Sequence, residues 1–168
     1  MFRQYLEQQH GVADEKIGYL PQYAAAQFDT LPLAQSKKNT VDLMFAGNIG
    51  AAQSLTTVLQ AAELLREETT LRWHIVGDGS ELGNLKAIVR EKGLDNVIFH
   101  GRKPPEEMPA YYAQADAMLV TLTADKFISL TLPGKVQTYM AAGKPIIGAA
   151  IGEIPQVIEA APVSYTHL

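Results

Sequence analysis

The 168-residue chain predicts an α/β domain with three layers: a doubly wound, mostly parallel sheet with helices on both faces. Three observations carry this expectation. Short apolar runs rich in β-branched residues alternate with segments of helical period from Val41 onward. Glycine follows most of those runs, where a strand must turn into a helix. Finally, 47% hydrophobic and 19% charged residues make the composition of a chain that folds around a core.

Met1 to His10 reads as a helix, and "EKIGYLPQY" (Glu15 to Tyr23) as a strand running into a proline turn. The polar break "SKKNT" (Ser36 to Thr40) divides this preamble from the regular region. "VDLMFAG" (41–47) is the first buried strand. In "SLTTVLQAAELL" the apolar residues Leu55, Val58, Leu59, Ala62 and Leu65 fall on one helical face. "LRWHIVG" (71–77) is the second strand. A helix follows it with Leu82, Leu85, Ile88 and Val89 on one side and Gly93 as its stop. "NVIFHG" is the third strand, and "PPEEMPAYYAQA" opens a helix with proline and two glutamates at its positive end. "DAMLVTL", the helix in "LPGKVQTYMAAG", the strand "PIIGAA" and the helix "EIPQVIEAA" complete the series. In the Rossmann-like order 3-2-1-4-5 the first and fourth strands flank the switch point, and ligands bind beyond their carboxyl ends.

The loops at that crevice supply the candidate site. In "GNIGAAQS", Gly47 and Gly50 allow a tight turn and close approach of the backbone to a ligand, and the following helix start offers free N–H groups. A plain strand-to-helix turn accounts for the same residues. In "VGDGSE", Gly77 serves the turn or a ligand, and Asp78 or Ser80 is placed to cap the next helix. Arg102, after "FHG", is either a base or phosphate contact or a solvated side chain. In "LPGKVQTYMAAGKP", Pro133 and Gly134 fix the helix entry, so Lys135 and the first N–H groups converge on one anion, suiting a diphosphate. Val136, Tyr139 and Met140 form the packed side of that helix, and Lys144 is structural.

Other chemistry is poorly supplied. His74 reads as a packed strand residue, while His100, at a strand end, is a candidate ligand contact. No His/Cys/Asp set has metal-ligand spacing, and no nucleophile elbow is present. Zero cysteines exclude disulfides, which fits a reducing, cytoplasmic setting. A formal charge of −4 without a basic run argues against nucleic acid as a partner. No apolar stretch reaches the ~20 residues that span a bilayer. "MFRQYLEQQH" is too polar for a signal peptide, while peripheral association of a longer protein with the inner membrane face stays open.

Taken in order, "FAGNIG", "WHIVGDGSEL", "VIFHGR", "MPAYYAQADAMLV" and "LPGKVQTYMAAGKPIIG" resemble the C-terminal half of family 4 retaining glycosyltransferases, over about residues 1–161. The resemblance implies two Rossmann-like domains facing a cleft, with the C-terminal one binding a nucleotide-sugar donor and the N-terminal one an acceptor. Residues 1–40 then correspond to the tail of an acceptor domain and a linker. Residues 41–161 correspond to a truncated donor domain, and 162–168 to a non-native or disordered tail. The "LPGK…YMAAGKP" form is most similar to the branch that builds bacterial exopolysaccharide, O-antigen or capsule on glycan or lipid-linked acceptors. The donor it implies is a UDP-sugar used as substrate, hexosyl or amino-sugar, with no cofactor and no metal. By the same resemblance Gly47, Gly50 and Lys135 border the diphosphate, and Gly77, Gly101, Arg102 and Thr138 border the nucleoside.

The chain departs from the family pattern at two places. The loop after strand one lacks the usual arginine and lysine, with Gln53 standing at about the lysine's place. The two glutamates usual before "YMA" are Leu130 and Thr138 here, which leaves the sugar contact to Asp125 or Glu153 as candidates and the catalytic residues unassigned. Because "PVSYTHL" does not resemble the family's continuation, the chain reads as a fragment that would not transfer sugar at a useful rate on its own, since holding both substrates together is much of the catalysis. A nucleotide-sugar epimerase half and a non-catalytic binding module of the same fold are the alternative readings.

Overall fold

The computed structural model describes residues 2–18, 20, 24, 38–161 and 165–166. At its centre is β1 (Val41–Ala46), buried on both faces from Asp42 onward, as a strand covered by helices on either side must be. Around it lie β2 (Leu71–Val76), β3 (Val97–Gly101), β4 (Ala117–Thr121), β5 (Ile146–Ala149) and a two-residue β6 (Tyr165–Thr166). All pairings are parallel, in the order β3-β2-β1-β4-β5-β6. The expected 3-2-1-4-5 arrangement is therefore present, extended by one short strand that the sequence did not announce.

Helices α2 (Leu55–Leu64) and α3 (Leu82–Lys92) cover one face. Against them pack Leu43 and Phe45 of β1, Trp73 and Ile75 of β2, and Leu119 of β4. The opposite face carries α4 (Met108–Gln114), α5 (Gly134–Ala141) and α6 (Glu153–Glu159), over Met44, Ala46, Val76, Met118, Val120 and Ile146. Alternate residues of each strand thus feed separate cores, the direct result of the two-residue side-chain period. Helix α3 stops where expected: Gly93 takes a left-handed conformation, and Arg90 and Lys92 occupy the negative last turn.

Several local expectations are corrected. Leu65 lies past the end of α2 and is 41% exposed, because the chain leaves helical geometry there before the stripe returns to the core. Neither Asp78 nor Ser80 caps α3, whose N-cap is Glu81; the Asp78 carboxylate accepts from the Gly79 N–H instead. The helix opened by "PPEE" begins as a 3-10 turn over Pro105–Glu107 before α4 proper. In the preamble, α1 (Phe2–His10) forms as expected. Asp14–Lys16, however, is a single 3-10 turn and not a strand; among the described residues no strand pairs with it, and Arg3 ties it to α1 through Asp14 and the Ile17 carbonyl. The proline turn of that segment and the first two residues of the "SKKNT" break lie outside the described residues. Among the described residues no helix is long and apolar enough to cross a membrane.

Candidate functional site

Strands β1 and β4 pair only at Leu43 and Met44, then diverge. The splay leaves the β4-facing amide and carbonyl of Ala46 without a ladder partner. Tyr139, fully buried on α5, fills the gap: its hydroxyl donates to the Ala46 carbonyl at 2.8 Å and accepts from the Ala46 N–H at 2.9 Å. Burial pushes the phenol well above its ordinary range, so it stays protonated and able to donate. One side chain therefore holds the switch point open and satisfied.

Above it the loops are joined backbone to backbone. The Gly47 N–H donates to Val76, Ile49 to Asp78, Gly77 to Gly101 and Thr123 to Ala52, all at 2.8–3.0 Å. Gly77 is obligatory at this junction: its φ is +141°, and a Cβ there would sit 1.9 Å from the Gly47 oxygen. Between these loops and α4 opens a cleft of about 400 Å³, lined by Ala46, Gly47, Asn48, Val76, Gly77, Asp78, Arg102, Lys103, Met108 and Tyr112. It has an apolar floor and a rim carrying two cations, the mixture expected of a small-molecule site.

Lys135 does not itself line this cleft but lies against one residue that does, Gly47. Its ammonium sits 4.0 Å from the Phe45 ring centroid, donates to the Gln53 side-chain oxygen, and would lie 3.3 Å from a Cβ built on Gly47. A neutral amide and a ring face do not repay the loss of water, so burial pushes the Lys135 pKa down to about 7. Such a group gains strongly from an incoming anion.

The expected site residues do not all converge. Gly47, Gly77 and Arg102 line the cleft, and Lys135 lies directly beneath Gly47. Gly101, at φ +69°, carries the turn into Arg102 and accepts the Gly77 amide through its carbonyl. Gly50 leads into a 3-10 turn over Ala51–Gln53, and α2 begins only at Leu55, so the helix end stands further from Gly50 than the sequence suggested. The Thr138 hydroxyl is turned back onto its own helix, donating to the Gly134 carbonyl at 3.0 Å. Asp125 is engaged by the amides of Phe127 and Ile128. Glu153 lines a separate apolar groove with Phe2, Leu6 and Leu130. Lys103, Met108 and Tyr112 are cleft residues that sequence reasoning missed; the only signal was their nearness to Arg102 and the aromatic pair opening α4.

The histidines form a chain of their own. The His74 Nδ1 and His100 Nε2 are 2.8 Å apart, and the His74 Nε2 is 2.9 Å from the Asp42 carboxylate. His100 thus faces His74 and is absent from the cleft lining, contrary to its reading as a ligand contact. Lys144 is structural as expected, its ammonium closing the end of α4 on the Ala113 and Ala115 carbonyls. Among the described residues no group of three His, Cys, Asp or Glu is placed to hold a metal.

A glycosyl transferases group 1 family model matches residues 40–164, which take in β1 to β5 and the crevice at their ends. The chain belongs to this family. It is 29% identical over 164 residues to an Escherichia coli (strain K12) protein assigned as the colanic acid biosynthesis glycosyl transferase WcaI, with 90% of the chain aligned. It spans only 40% of that relative's length. Among solved structures it matches the C-terminal domain of the group 1 glycosyl transferase LpcC from Francisella tularensis, with a TM-score of 0.59 and 21% identity over 87% of this chain and 76% of that one. It also matches Anabaena HepE in complex with UDP and glucose, with a TM-score of 0.58 and 19% identity over 77% of this chain and 34% of that one. Both are likenesses of fold.

Proposed function

We propose that this chain is the donor-binding, C-terminal half of a retaining glycosyltransferase that builds a bacterial surface polysaccharide at the cytoplasmic side, and that its cleft takes the nucleotide of a UDP-sugar. The observation that carries the reading is the partly desolvated Lys135 ammonium beneath Gly47, at the splay of β1 and β4 and beside the 400 Å³ cleft. A diphosphate seated over Gly47 would meet Lys135 from below, the first-turn amides of α5 beside it, and the Arg102 and Lys103 cations across the cleft. Gly77 and Gly101 would border the nucleoside, with the apolar floor of Val76 and Met108 beneath it.

Chemically, these groups stabilise a leaving diphosphate. As the sugar–oxygen bond breaks, negative charge grows on the terminal phosphate, and fixed cations and N–H groups stabilise it more than they do the ground state. Gln53 keeps Lys135 aimed without neutralising it, the role left to it by the missing loop cation. Two likenesses support the reading: the LpcC structure is itself a C-terminal domain, and the HepE structure holds UDP and glucose. The WcaI likeness supports the polysaccharide setting. The acceptor, a glycan or a lipid-linked sugar, would be held by an N-terminal domain, and without it the domain would bind donor and turn over little.

Calorimetric titration of the 168-residue chain with UDP, GDP and ADP tests this reading. UDP binding that is weakened at least tenfold by Lys135→Ala is the expected result. A folded sample that binds none of the three overturns it. The epimerase alternative is disfavoured because His100, its one candidate acid–base group, is spent on His74. The non-catalytic module draws on Leu130 and Thr138 standing where the family has glutamates, and it predicts a nucleotide affinity that Lys135→Ala leaves unchanged.

A further inference from the structure

The cleft's charged rim, Arg102 and Lys103, hangs from the end of β3, and the residue that anchors that end is His100. Its ring meets that of His74 edge to edge, with centroids 5.1 Å apart and planes 14° from parallel, and lies across Tyr111 at 5.2 Å. Tyr111 in turn lies 5.4 Å beneath the Lys103 ammonium. On the other side, Asp42 accepts from Lys38 at 2.6 Å, and Lys38 also reaches Asp116 at 3.0 Å. A continuous line of polar contacts therefore runs under one sheet face, from Asp116 and Lys38 through Asp42, His74 and His100 to Tyr111 and Lys103.

Asp42 is an ionised acceptor: burial alone would raise its pKa, but the bonds from Lys38 and His74 outweigh burial and hold it below the ordinary range. The His74 Nε2 must therefore carry a hydrogen, which leaves its Nδ1 to face the His100 Nε2. With both rings neutral, His100 donates to His74. With one proton added to the pair, one facing nitrogen still donates to the other and the bond persists. With two added, both facing nitrogens carry hydrogens at 2.8 Å, the bond is lost, and two cations face each other edge to edge beside Lys103.

We infer that His100 is a positioning residue for the Gly101–Lys103 rim, locked by a ring-to-ring hydrogen bond to His74 that survives one proton on the pair and breaks with the second. Every charged or titratable neighbour fits this role. Asp42 on β1, with Lys38 and Asp116 behind it, accepts from the His74 Nε2 at 2.9 Å. Tyr111 on α4 contacts His100 ring to ring, and Lys103 on the rim opposes charge there. Burial first, then the charges of His74 and Lys103, lower the His100 pKa below its ordinary 6.5. Around neutral pH the rim is held; in mild acid it is released.

The rim test needs no nucleotide. In the 168-residue chain, NMR titration from pH 8 to 5 follows the ring resonances of His74 and His100 and the amides of Gly101, Arg102 and Lys103. The expected result is a shared, two-step titration of the rings, with the three amides moving in the acid step. His100→Gln, whose amide still donates to the His74 Nδ1 but does not titrate, should abolish that step. Independent titration of the rings, or amides that ignore the acid step, overturns the inference; the wild-type arm decides this even if the variant fails to fold. The second readout rests on the proposed nucleotide reading: UDP affinity in wild type, relative to His100→Gln, should fall about tenfold per pH unit below the His100 pKa. Charge alone would have the opposite sign, because a cation added near an anionic ligand tightens it. Identical pH profiles in the two proteins, or tighter acid binding in wild type, therefore overturn the inference and leave the nucleotide site standing. Rim amides that follow His100 in a chain that binds no UDP uphold the lock and remove the nucleotide reading.

Discussion

Occupation of the cleft by a diphosphate should draw a proton out of solution, and the size of that uptake follows from Lys135. Without ligand its pKa is about 7 against an ordinary 10.5, and burial is the whole cause. At pH 8.5 such a group is about 3% protonated, whereas one restored to its ordinary range by a facing phosphate is about 99% protonated. Binding should therefore take up about one proton. The ligand itself does not interfere at that pH: the terminal phosphate of UDP, with a pKa of about 6, is fully ionised. Calorimetric titration with UDP at pH 8.5, in two buffers of very different ionisation enthalpy, reads the number directly. Lys135→Met keeps the stem against Phe45 and should take up none. The reasoning is refuted if wild type binds UDP without proton uptake, or if the variant takes up the same amount. The unliganded chain offers a companion sign check. Between pH 7 and 10.5 the unfolded chain holds a proton that the folded chain has lost, so the Lys135 contribution to stability rises with pH across that window and is flat below it.

Two further substitutions test the geometry under the cleft. Tyr139→Phe leaves the Ala46 N–H and carbonyl without the partner that replaces the β4 ladder, and should cost about 2 kcal/mol in urea unfolding, since a buried polar pair is stranded; a loss below about 0.5 kcal/mol, within the ordinary scatter of harmless changes, would show that β1 and β4 close without it. Gly77→Ala places a methyl carbon 1.9 Å from the Gly47 oxygen at φ +141°. It should lower stability by about 2–3 kcal/mol and abolish measurable UDP binding by separating the two loops. Gly83→Ala is its control: a Cβ there meets nothing within 4 Å inside α3, so stability should hold or rise by about 1 kcal/mol from helix propensity. Equal behaviour of the two variants would remove the steric account.

The fold was legible because each of its decisions is local. Apolar runs of five or six residues separated by helical stripes leave few arrangements other than parallel crossovers, and the right-handed rule then sets the order. Lys135 was legible for a related reason: a lysine one residue inside a helix that follows a switch-point strand has little freedom in where it points. What it rests on was not, since Phe45 and Gln53 are 90 and 82 positions away in the chain. Gln53 looked like the loss of a cation and turns out to be the acceptor that holds the remaining one.

The histidine chain shows why that kind of contact escapes a reading by period. Register alone pairs His74 with Ile98, and His100 stands two residues further along the same face of β3. The contact depends on an irregularity just beyond, where Ile75 still pairs with Phe99 but Val76 pairs with Gly101. That slip of one residue draws the end of β3 back along β2 and brings the two imidazoles edge to edge. Nothing in "WHIV" or "IFHG" encodes a slip; it arises from Gly101 taking a left-handed turn so that its carbonyl meets the Gly77 amide. The glycine junction that shapes the cleft is thus also what brings the two rings together. The lock on the rim and the opening of the site follow from one piece of backbone geometry, and a change at Gly101 should disturb both at once.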